Sequence, residues 1–296
     1  MAKKGTILLN LLNLSPGKIS GILSCFEDID WIFKAGVSDF KSIAYFQDED
    51  IKRILALRAS AIFGRELELI AQEKVDCIDI FDSDYPQLLK EISSPPLVLY
   101  LKGSRAILDK FSLAIVGSRK PTSYGISITK DFTAQLCRKG MVIISGLAKG
   151  IDTAAHRQAI QNGETIAVLG SGLLNIYPRE NTRLVDEIIA RGAVISEFPM
   201  LTAPLKENFP RRNRIVSGMS RGVLVVEAGS RSGALITAHL ACEQNREVFA
   251  IPGSVNSPLS KGTHILIKEG AKLVDCVEDI LAEMDIAGVR QPVSVN

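Results

Sequence analysis

The sequence has no long hydrophobic run, and its 296 residues include only five cysteines and three histidines. The longest apolar stretches, such as residues 222–226, are far shorter than the roughly 20 residues that a membrane-spanning helix needs. No signal peptide is recognisable at the N-terminus. The cysteines are scattered without a Cys-x-x-Cys pair, which argues against disulfide bridges and thiolate zinc sites and predicts free, buried thiols. We therefore expect a cytoplasmic protein without a membrane span.

An excess of charge of one sign is also absent, because 35 Lys and Arg stand against 33 Asp and Glu. Bulk charge therefore identifies no partner, and only local clustering is informative. Residues 27–50 hold seven acidic side chains against two basic ones, whereas residues 206–231 hold six basic side chains against two acidic ones. The two ends of the chain are thus predicted to face different partners.

The hydrophobic pattern divides the chain into unlike segments. Residues 1–75 show apolar spacing typical of short helices, and residues 76–110 resemble a connector that carries one edge strand. From residue 111 to 285, short runs that are apolar throughout alternate with glycine-bearing turns and helical stretches, a pattern typical of buried parallel strands. The sequence therefore predicts an α/β protein with a doubly wound, mostly parallel sheet, preceded by a small all-α domain. The predicted strands are 113–116, 141–144, 165–169, 193–195, 223–226, 248–251 and 272–274.

Turns that follow such strands are where a doubly wound sheet binds ligands. In the first turn, Gly117 allows close backbone approach, Ser118 offers a donor and Arg119 brings a planar charge, which together describe a phosphate site. The alternative is an ordinary strand end before a helix. A second turn, residues 145–152, presents Lys149 and ends at Asp152, which we predict as a helix N-cap. His156, one turn later, is expected to be a core or surface residue.

Further turns add more positive charge to the same edge. The glycines of residues 170–175 suggest a dinucleotide site only weakly, because the third glycine position holds Asn175. Three arginines open a helix directly after Phe209, and anion binding is favoured there over a merely exposed basic face. A row of glycine-bearing turns with cations favours a polyanion over a single phosphate group. The remaining candidate residues are Arg179, Arg211, Arg212, Arg214, Gly229, Ser230 and Arg231.

Motifs of common enzymes are missing. No Gly-x-x-x-x-Gly-Lys-Ser/Thr loop is present, and the turn at residues 229–233 has an arginine where a nucleophile elbow has serine. The histidines have no metal-ligand spacing. Glu227 could act as an acid or base, but anchoring a neighbouring group is the favoured interpretation. We therefore expect binding rather than catalysis, with no catalytic residue, metal or cofactor.

Motifs spaced along residues 79–281 together resemble the DprA/Smf family. These motifs are Ile115-Val-Gly-Ser-Arg119, Ser145-Gly-Leu-Ala-Lys-Gly-Ile-Asp152, Tyr177-Pro-Arg-Glu-Asn181, Phe209-Pro-Arg-Arg-Asn-Arg-Ile215, Val226-Glu-Ala-Gly-Ser-Arg-Ser-Gly-Ala-Leu-Ile-Thr237 and Phe249-Ala-Ile-Pro-Gly253. The resemblance implies an extended Rossmann-like core without known catalysis that forms a homodimer. It also implies a recombination mediator of natural transformation, which binds and protects incoming single-stranded DNA and loads the RecA recombinase onto it.

The resemblance also assigns roles to single residues. It implies that Arg119 is the strongest DNA-phosphate contact, that Arg179 is a basic contact, and that Phe209 stacks on a base. Arg212 and Arg214, together with Gly117 and Ser118, would complete the DNA groove. The N-terminal region resembles a sterile-alpha-motif-like or degenerate helix-hairpin-helix segment, for which an acidic protein-binding face or mere solubility is favoured over DNA binding. Residues 286–296 are expected to be a short tail without a winged helix.

Two other functions are left open by the sequence. Related Rossmann-like phosphoribohydrolases cleave nucleoside monophosphates with a Pro-Gly-Gly-x-Gly-Thr turn. The corresponding place here begins at Glu227, lacks the Pro-Gly-Gly and contains Arg231, which counts against hydrolysis. A purely structural interaction protein is the third possibility, and it predicts no affinity for nucleic acid.

Overall fold

The computed structural model describes residues 2–14, 16–25, 28–43 and 46–284. The expected tail at residues 286–296, and with it the expectation that no winged helix follows, lies outside these residues. Within the described ranges, no helix is long and apolar enough to cross a bilayer.

Helices form the N-terminal part, as the apolar spacing predicts. Helix α5 begins after Ser60, whose hydroxyl accepts a hydrogen bond from the Phe63 amide at 3.3 Å and so caps a free helix N–H. These helices share a hydrophobic core with strand and loop residues of the following α/β part, and Met200 N donates to Glu66 Oε1 at 2.9 Å across that contact. The helices are α1 Lys4–Leu12, α2 Pro16–Cys25, α3 Val37–Lys41, α4 Asp48–Arg58 and α5 Ala61–Gln72, with a 3₁₀ turn at Ile29–Phe33.

A nine-stranded sheet forms the centre of the molecule, in the order β1-β2-β6-β5-β4-β3-β7-β8-β9. Strands β3 to β9 pair in parallel, whereas β2 runs antiparallel to both β1 and β6. The strands are β1 Asp76–Asp79, β2 Val98–Gly103, β3 Ser112–Val116, β4 Val142–Ser145, β5 Thr165–Val168, β6 Ala193–Ser196, β7 Gly222–Val225, β8 Glu247–Ala250 and β9 Lys272–Leu273. The mostly parallel sheet is therefore confirmed.

The segment 76–110 corrects one prediction, because it contributes two strands and not one. The missed strand, β1, is only four residues long and is bounded by Asp76 and Asp79, so its apolar signal is reduced to Cys77 and Ile78. It lies at the edge of the sheet, whereas β2, the predicted strand, is covered on both sides by β1 and β6.

Helices cover both faces of the sheet. Leu113 and Ile115 pack with residues of α7 and α8 on one face, whereas Ala114 and Val116 pack with residues of α10 and α11 on the other. This alternation explains why the strands are apolar throughout, since side chains on both faces are buried. The helices of this part are α6 Gln87–Lys90, α7 Ser123–Arg138, α8 Ile151–Asn162, α9 Thr182–Arg191, α10 Asn208–Gly218, α11 Gly233–Glu243, α12 Lys261–Lys268 and α13 Val277–Glu283, with 3₁₀ turns at Arg105–Ile107 and Arg179–Asn181.

The order of the strands reverses at β3. From β3 the chain builds β4, β5 and β6 on one side, and then crosses to build β7, β8 and β9 on the other. The turns after β3 and β7 diverge at such a reversal and leave a crevice at the carboxyl edge of the sheet. The fold thus places the ligand site between these two turns.

Candidate nucleic-acid interface

A cavity of about 1050 Å³ occupies the point where the strand order reverses. We call it the sheet-edge groove. It is lined by the turns after β3, β4, β7 and β8, by the β6–α10 loop and by the first turns of α10. Eight of the twelve candidate residues from the sequence line it, namely Gly117, Ser118, Arg119, Phe209, Arg212, Gly229, Ser230 and Arg231.

The turn after β3 forms one wall of the groove. Gly117 is required there by packing, because a Cβ atom would lie 2.7 Å from Ile151 Cγ1. The Ser118 hydroxyl accepts a hydrogen bond from the Lys120 amide at 3.1 Å, and this bond fixes the turn. Arg119 is exposed, and its guanidinium lies 5.8 Å from the centre of the Phe209 ring. Among the residues that the structure describes, no acidic side chain pairs with Arg119, so its charge faces the groove.

The turn after β4 is closed by Asp152, which is not the helix N-cap that the sequence predicts. Helix α8 begins at Ile151 with Gly150 in the capping position, and the buried Asp152 carboxylate instead accepts hydrogen bonds from Gly146 N at 3.1 Å and Ala148 N at 3.3 Å. Burial raises the pKa of Asp152 to about 6, although the nearby Arg212 guanidinium opposes the rise. A carboxylate in this position shapes the loop and places a titratable charge in the groove wall.

Asn181 explains the end of the Tyr177-Pro-Arg-Glu-Asn181 motif. Its side-chain amide donates to Leu147 O at 3.0 Å and to Thr153 Oγ1 at 2.8 Å. Leu147 has a left-handed backbone with φ of +57°, which costs a non-glycine residue free energy and needs support from its surroundings. The motif therefore stabilises the turn after β4, and its Tyr177 lines the groove.

Arg212 forms the floor of the groove. It is buried, and its Nη1 donates to Gly146 O at 2.6 Å and also to Val168 O. Burial lowers the pKa of Arg212 to about 10, and Asp152 opposes this effect. Arg212 thus ties the turns after β4 and β5 together while its charge stays at the base of the groove.

The other four candidate residues do not line the groove. Arg211 and Arg214 both donate to the buried carboxylate of Glu197, at 3.1 and 2.6 Å. Lys149 and Arg179 are exposed outside it, and Lys149 Nζ lies 2.6 Å from a Glu180 carboxylate oxygen. The structure therefore separates these four from the eight that it brings together.

The turn after β7 forms the opposite wall. A Cβ on Gly229 would meet only Pro258 O, at 3.8 Å, so its backbone is open to a ligand. Ala228 N donates to Leu259 O at 2.7 Å, which joins this turn to the one after β8. Glu227 accepts hydrogen bonds from Thr122 N at 2.9 Å and Thr122 Oγ1 at 2.5 Å. Both carboxylate oxygens are thus engaged, and the anchoring role predicted for Glu227 is confirmed.

Two cations and one aromatic ring of the groove, Lys206, Lys261 and Tyr177, were not among the predicted site residues. Lys206 lies in the basic segment 206–231, and Lys261 opens α12 after β8. Lys261 follows a strand end, as the predicted cations after the earlier strands do, so the same sequence signal also points to it. Tyr177 is 46 % exposed, and its ring lies 5.6 Å from that of Phe209. Together they form an aromatic pair beside Arg119.

No histidine or cysteine is among the described residues that line the groove. His156 is buried, its Nδ1 lies 2.8 Å from Thr165 Oγ1, and burial lowers its pKa to about 3. Of the two positions, core or surface, that the sequence left open for His156, the structure shows the core. Cys77 and Cys137 are free and buried, but Cys242 is exposed because it lies on the outer side of α11, which corrects the expectation of buried thiols. Side chains of Asp275, Cys276 and Asp279 bring potential metal-ligand atoms within 4.8 Å of one another outside the groove.

The charges of the groove are strongly unbalanced. Five cationic side chains line it, and Asp152 is the one acidic side chain among the described residues that do so; the cations are Arg119, Lys206, Arg212, Arg231 and Lys261. Cations spread over several loops, together with an aromatic pair, suit a ligand with repeated phosphates and flat bases. Fold and site thus define a doubly wound, Rossmann-like α/β protein with a polyanion-type groove.

Comparison with known proteins identifies the family. Residues 76–285 match the family described as DNA recombination-mediator protein A, and the chain belongs to that family. The resemblance to DprA and Smf proteins is therefore confirmed.

Curated relatives and solved structures agree with this assignment. The chain is 46% identical over 228 residues to DNA processing protein DprA of Bacillus subtilis, which covers 76% of this chain and 77% of the relative. It is 50% identical over 202 residues to protein Smf of Escherichia coli, a match that spans 68% of this chain but 54% of Smf. The X-ray structure of DprA from Streptococcus pneumoniae superposes with a TM-score of 0.84 at 40% identity, covering 96% of this chain and 99% of that one. A Helicobacter pylori DprA structure, described as showing a single-stranded DNA binding mode, matches with a TM-score of 0.65 at 30% identity over 71% of this chain and 95% of that one.

Proposed function

We propose that this chain is a recombination mediator that binds single-stranded DNA in the sheet-edge groove. The observation that carries the proposal is the groove itself, which has five cations against one acid and an aromatic pair beside Arg119. Phosphate neutralisation and base stacking are the two interactions by which proteins bind single strands without reading sequence. The Helicobacter pylori relative, described as having a single-stranded DNA binding mode, supports the same ligand.

Roles within the groove follow from exposure and neighbours. We assign phosphate contacts to the exposed cations Arg119, Lys206, Arg231 and Lys261. Tyr177 is better placed than Phe209 to stack on a base, because Phe209 is half-buried and packs against Gly170.

The other predicted cations receive different roles. Arg212 is proposed to act from the groove floor through its charge, and Lys149 and Arg179 to contact DNA at the margin. We assign Arg211 and Arg214 to their ion pairs with Glu197 rather than to DNA.

We further propose that the protein acts without catalysis or a cofactor. The hydrolase alternative needs a free acid near the turn after β7, and both oxygens of Glu227 are engaged by Thr122. Protection of incoming DNA, transfer to RecA, homodimer formation and a cytoplasmic location during natural transformation are proposed from the family resemblance. The groove supports the DNA-binding part of this role.

Titration of the protein with labelled oligo-dT and with a matched duplex, each at two salt concentrations, tests the proposal. We expect salt-sensitive binding that favours the single strand, because bases must be unpaired to stack on Tyr177. Absence of binding to either would overturn it. Release of free base from a nucleoside monophosphate would instead support the phosphoribohydrolase alternative.

A further inference from the structure

A second cavity, of about 440 Å³, lies between α7 and α8. We call it the α7–α8 cleft. It is lined by Ile126, Lys130, Gly150, Thr153, Ala154, Arg157, Gln158 and Gln161. None of the described residues that line it is acidic, and neither the resemblance nor the groove accounts for its composition.

The two cations of the cleft have no local partner. Lys130 and Arg157 are exposed, and neither forms an ion pair with any residue that the structure describes. The acid next to Lys130 in sequence, Asp131, accepts a hydrogen bond from Gln135 Nε2 at 2.9 Å. Gln158 and Gln161 add amide donors to the same surface. The cleft therefore presents uncompensated positive charge beside neutral hydrogen-bond donors.

The cleft is adjacent to the sheet-edge groove through one shared loop, the turn after β4. The turn after β3 lines the groove with Ser118 and Arg119, and the turn after β4 lines the groove with Ala148 and the cleft with Gly150. Ile151 N donates to Ser118 O at 3.1 Å, so the two loops are packed directly together.

Gly150 lies at the boundary between the two cavities. It has a φ of +80°, and a Cβ there would lie 2.7 Å from Pro121 Cδ. Only glycine fits, because the backbone at this position packs closely against the turn after β3. Exposed Lys120 and Lys149 flank the boundary, and the Lys149–Glu180 pair is solvent-exposed and therefore weak.

We infer that the α7–α8 cleft is a second single-strand subsite, in which Lys130 and Arg157 hold phosphates of the same strand after it leaves the sheet-edge groove past Gly150. This inference rests on the proposed function, and it adds a direction for the strand. Continuity with the groove through the turn after β4 and charge complementarity both select a polyanion. A strand long enough to span both sites gains contacts that a short one cannot make.

Two oligo-dT lengths separate this inference from the proposed function. An oligonucleotide of about 6 nucleotides lies near the lower end of the roughly 4–16 nucleotides that one single-strand groove covers, whereas one of about 20 nucleotides exceeds that range and can reach both subsites. We expect the double variant Lys130→Gln/Arg157→Gln to bind the short strand as the wild type does. On the long strand it should lose about tenfold in affinity at low salt, and the slope of log affinity against log salt should shrink by about 1.4, which is 0.7 for each lost phosphate contact.

A matched double variant controls for net charge. Arg138→Gln/Lys139→Gln removes the same two charges at the C-terminal end of α7, which lies toward the opposite edge of the sheet. It should bind the long strand as the wild type does. Equal losses in the two double variants, or a Lys130/Arg157 loss that is the same on both strand lengths, would overturn the inference. So would an unchanged affinity of that variant for the long strand, with the proposed function left standing. Failure of the wild type to bind either strand would overturn both.

Discussion

Replacement of Arg119 by alanine is the sharpest test of the groove. The side chain is exposed and pairs with no acid among the described residues, and its guanidinium lies over the Phe209 ring at 5.8 Å from the ring centre. Its removal should therefore leave the free energy of unfolding within about 0.5 kcal/mol of the wild-type value. Binding, in contrast, should lose one charge-assisted contact to phosphate.

The size of that loss can be estimated. A hydrogen bond to a charged group contributes about 1.5–3 kcal/mol. At about 1.4 kcal/mol for each factor of ten, affinity for oligo-dT should fall by roughly 10- to 150-fold. Because one phosphate is no longer neutralised, the slope of log affinity against log salt should shrink by about 0.7. The loss should be similar for any base sequence, since phosphates carry no sequence information.

Fluorescence anisotropy across a salt series, with urea unfolding of the same samples, measures both quantities. Arg138→Ala is the control, because Arg138 is an exposed arginine at the far end of the helix that follows Arg119. An Arg119→Ala protein that is fully folded and binds with the wild-type affinity and salt slope would refute the assignment. A large fall in its stability would show that the side chain supports the fold instead.

Three further substitutions separate the roles of neighbouring residues. Tyr177→Ala should weaken single-strand binding by about 1–3 kcal/mol without changing the salt slope, because stacking involves no counterion release. Glu227→Gln should cost about 1.5–3 kcal/mol of stability in urea unfolding. One of the two carboxylate oxygens that accept from Thr122 is replaced by an NH₂ group, which cannot accept, and the other oxygen loses its charge. Affinity should rise about tenfold as the pH falls from about 7.5 to about 5.5, because Asp152, with a pKa of about 6, gains a proton and stops repelling phosphate. In Asp152→Asn this rise should disappear.

Each of these has a distinct contradicting result. A smaller salt slope in Tyr177→Ala would mean that the ring acts by positioning a cation. Unchanged stability of Glu227→Gln would mean that the Thr122 contacts contribute little. A rise at low pH that persists in Asp152→Asn would place the titrating group elsewhere. It would not be His156, because burial lowers the pKa of that histidine to about 3.

Much of the fold could be predicted because the burial of a strand leaves a signal in its own short stretch of sequence. Strands β3 to β8 are largely buried on both faces, so each appears in the sequence as a short apolar run before a turn that carries glycine or serine. Strand β1 could not be recognised in this way, since acidic residues bound its four positions. The order of the strands depends on tertiary packing and leaves no local signal, so the reversal at β3 required the structure.

The edge of the sheet that carries the candidate site could be predicted from the parallel strands alone. Parallel strands bring all their carboxyl ends to one edge, so the turns at Gly117 and Gly229 were expected at the same edge; that they are neighbours follows from the strand order. Which cations face that crevice depends on the partners that compete for them. Glu197 follows β6 and precedes Arg211 and Arg214 by 14 and 17 residues. It belongs to none of the motifs, so the sequence does not identify it as the buried counterion of these arginines.

The arginines at the start of α10 therefore contribute less free positive charge to the groove than their number in the sequence suggests. Arg211 and Arg214 converge on Glu197, and Arg212 is held by backbone carbonyls of two turns. Removing Arg212 or Arg214 leaves buried polar groups without this partner, so these two substitutions should reduce stability first and affinity second. Most of the exposed positive charge of the groove comes instead from Arg119, Lys206, Arg231 and Lys261. Lys206 and Arg231 lie in the basic segment 206–231, but Arg119 and Lys261 are distant in sequence and become their neighbours only when the sheet forms.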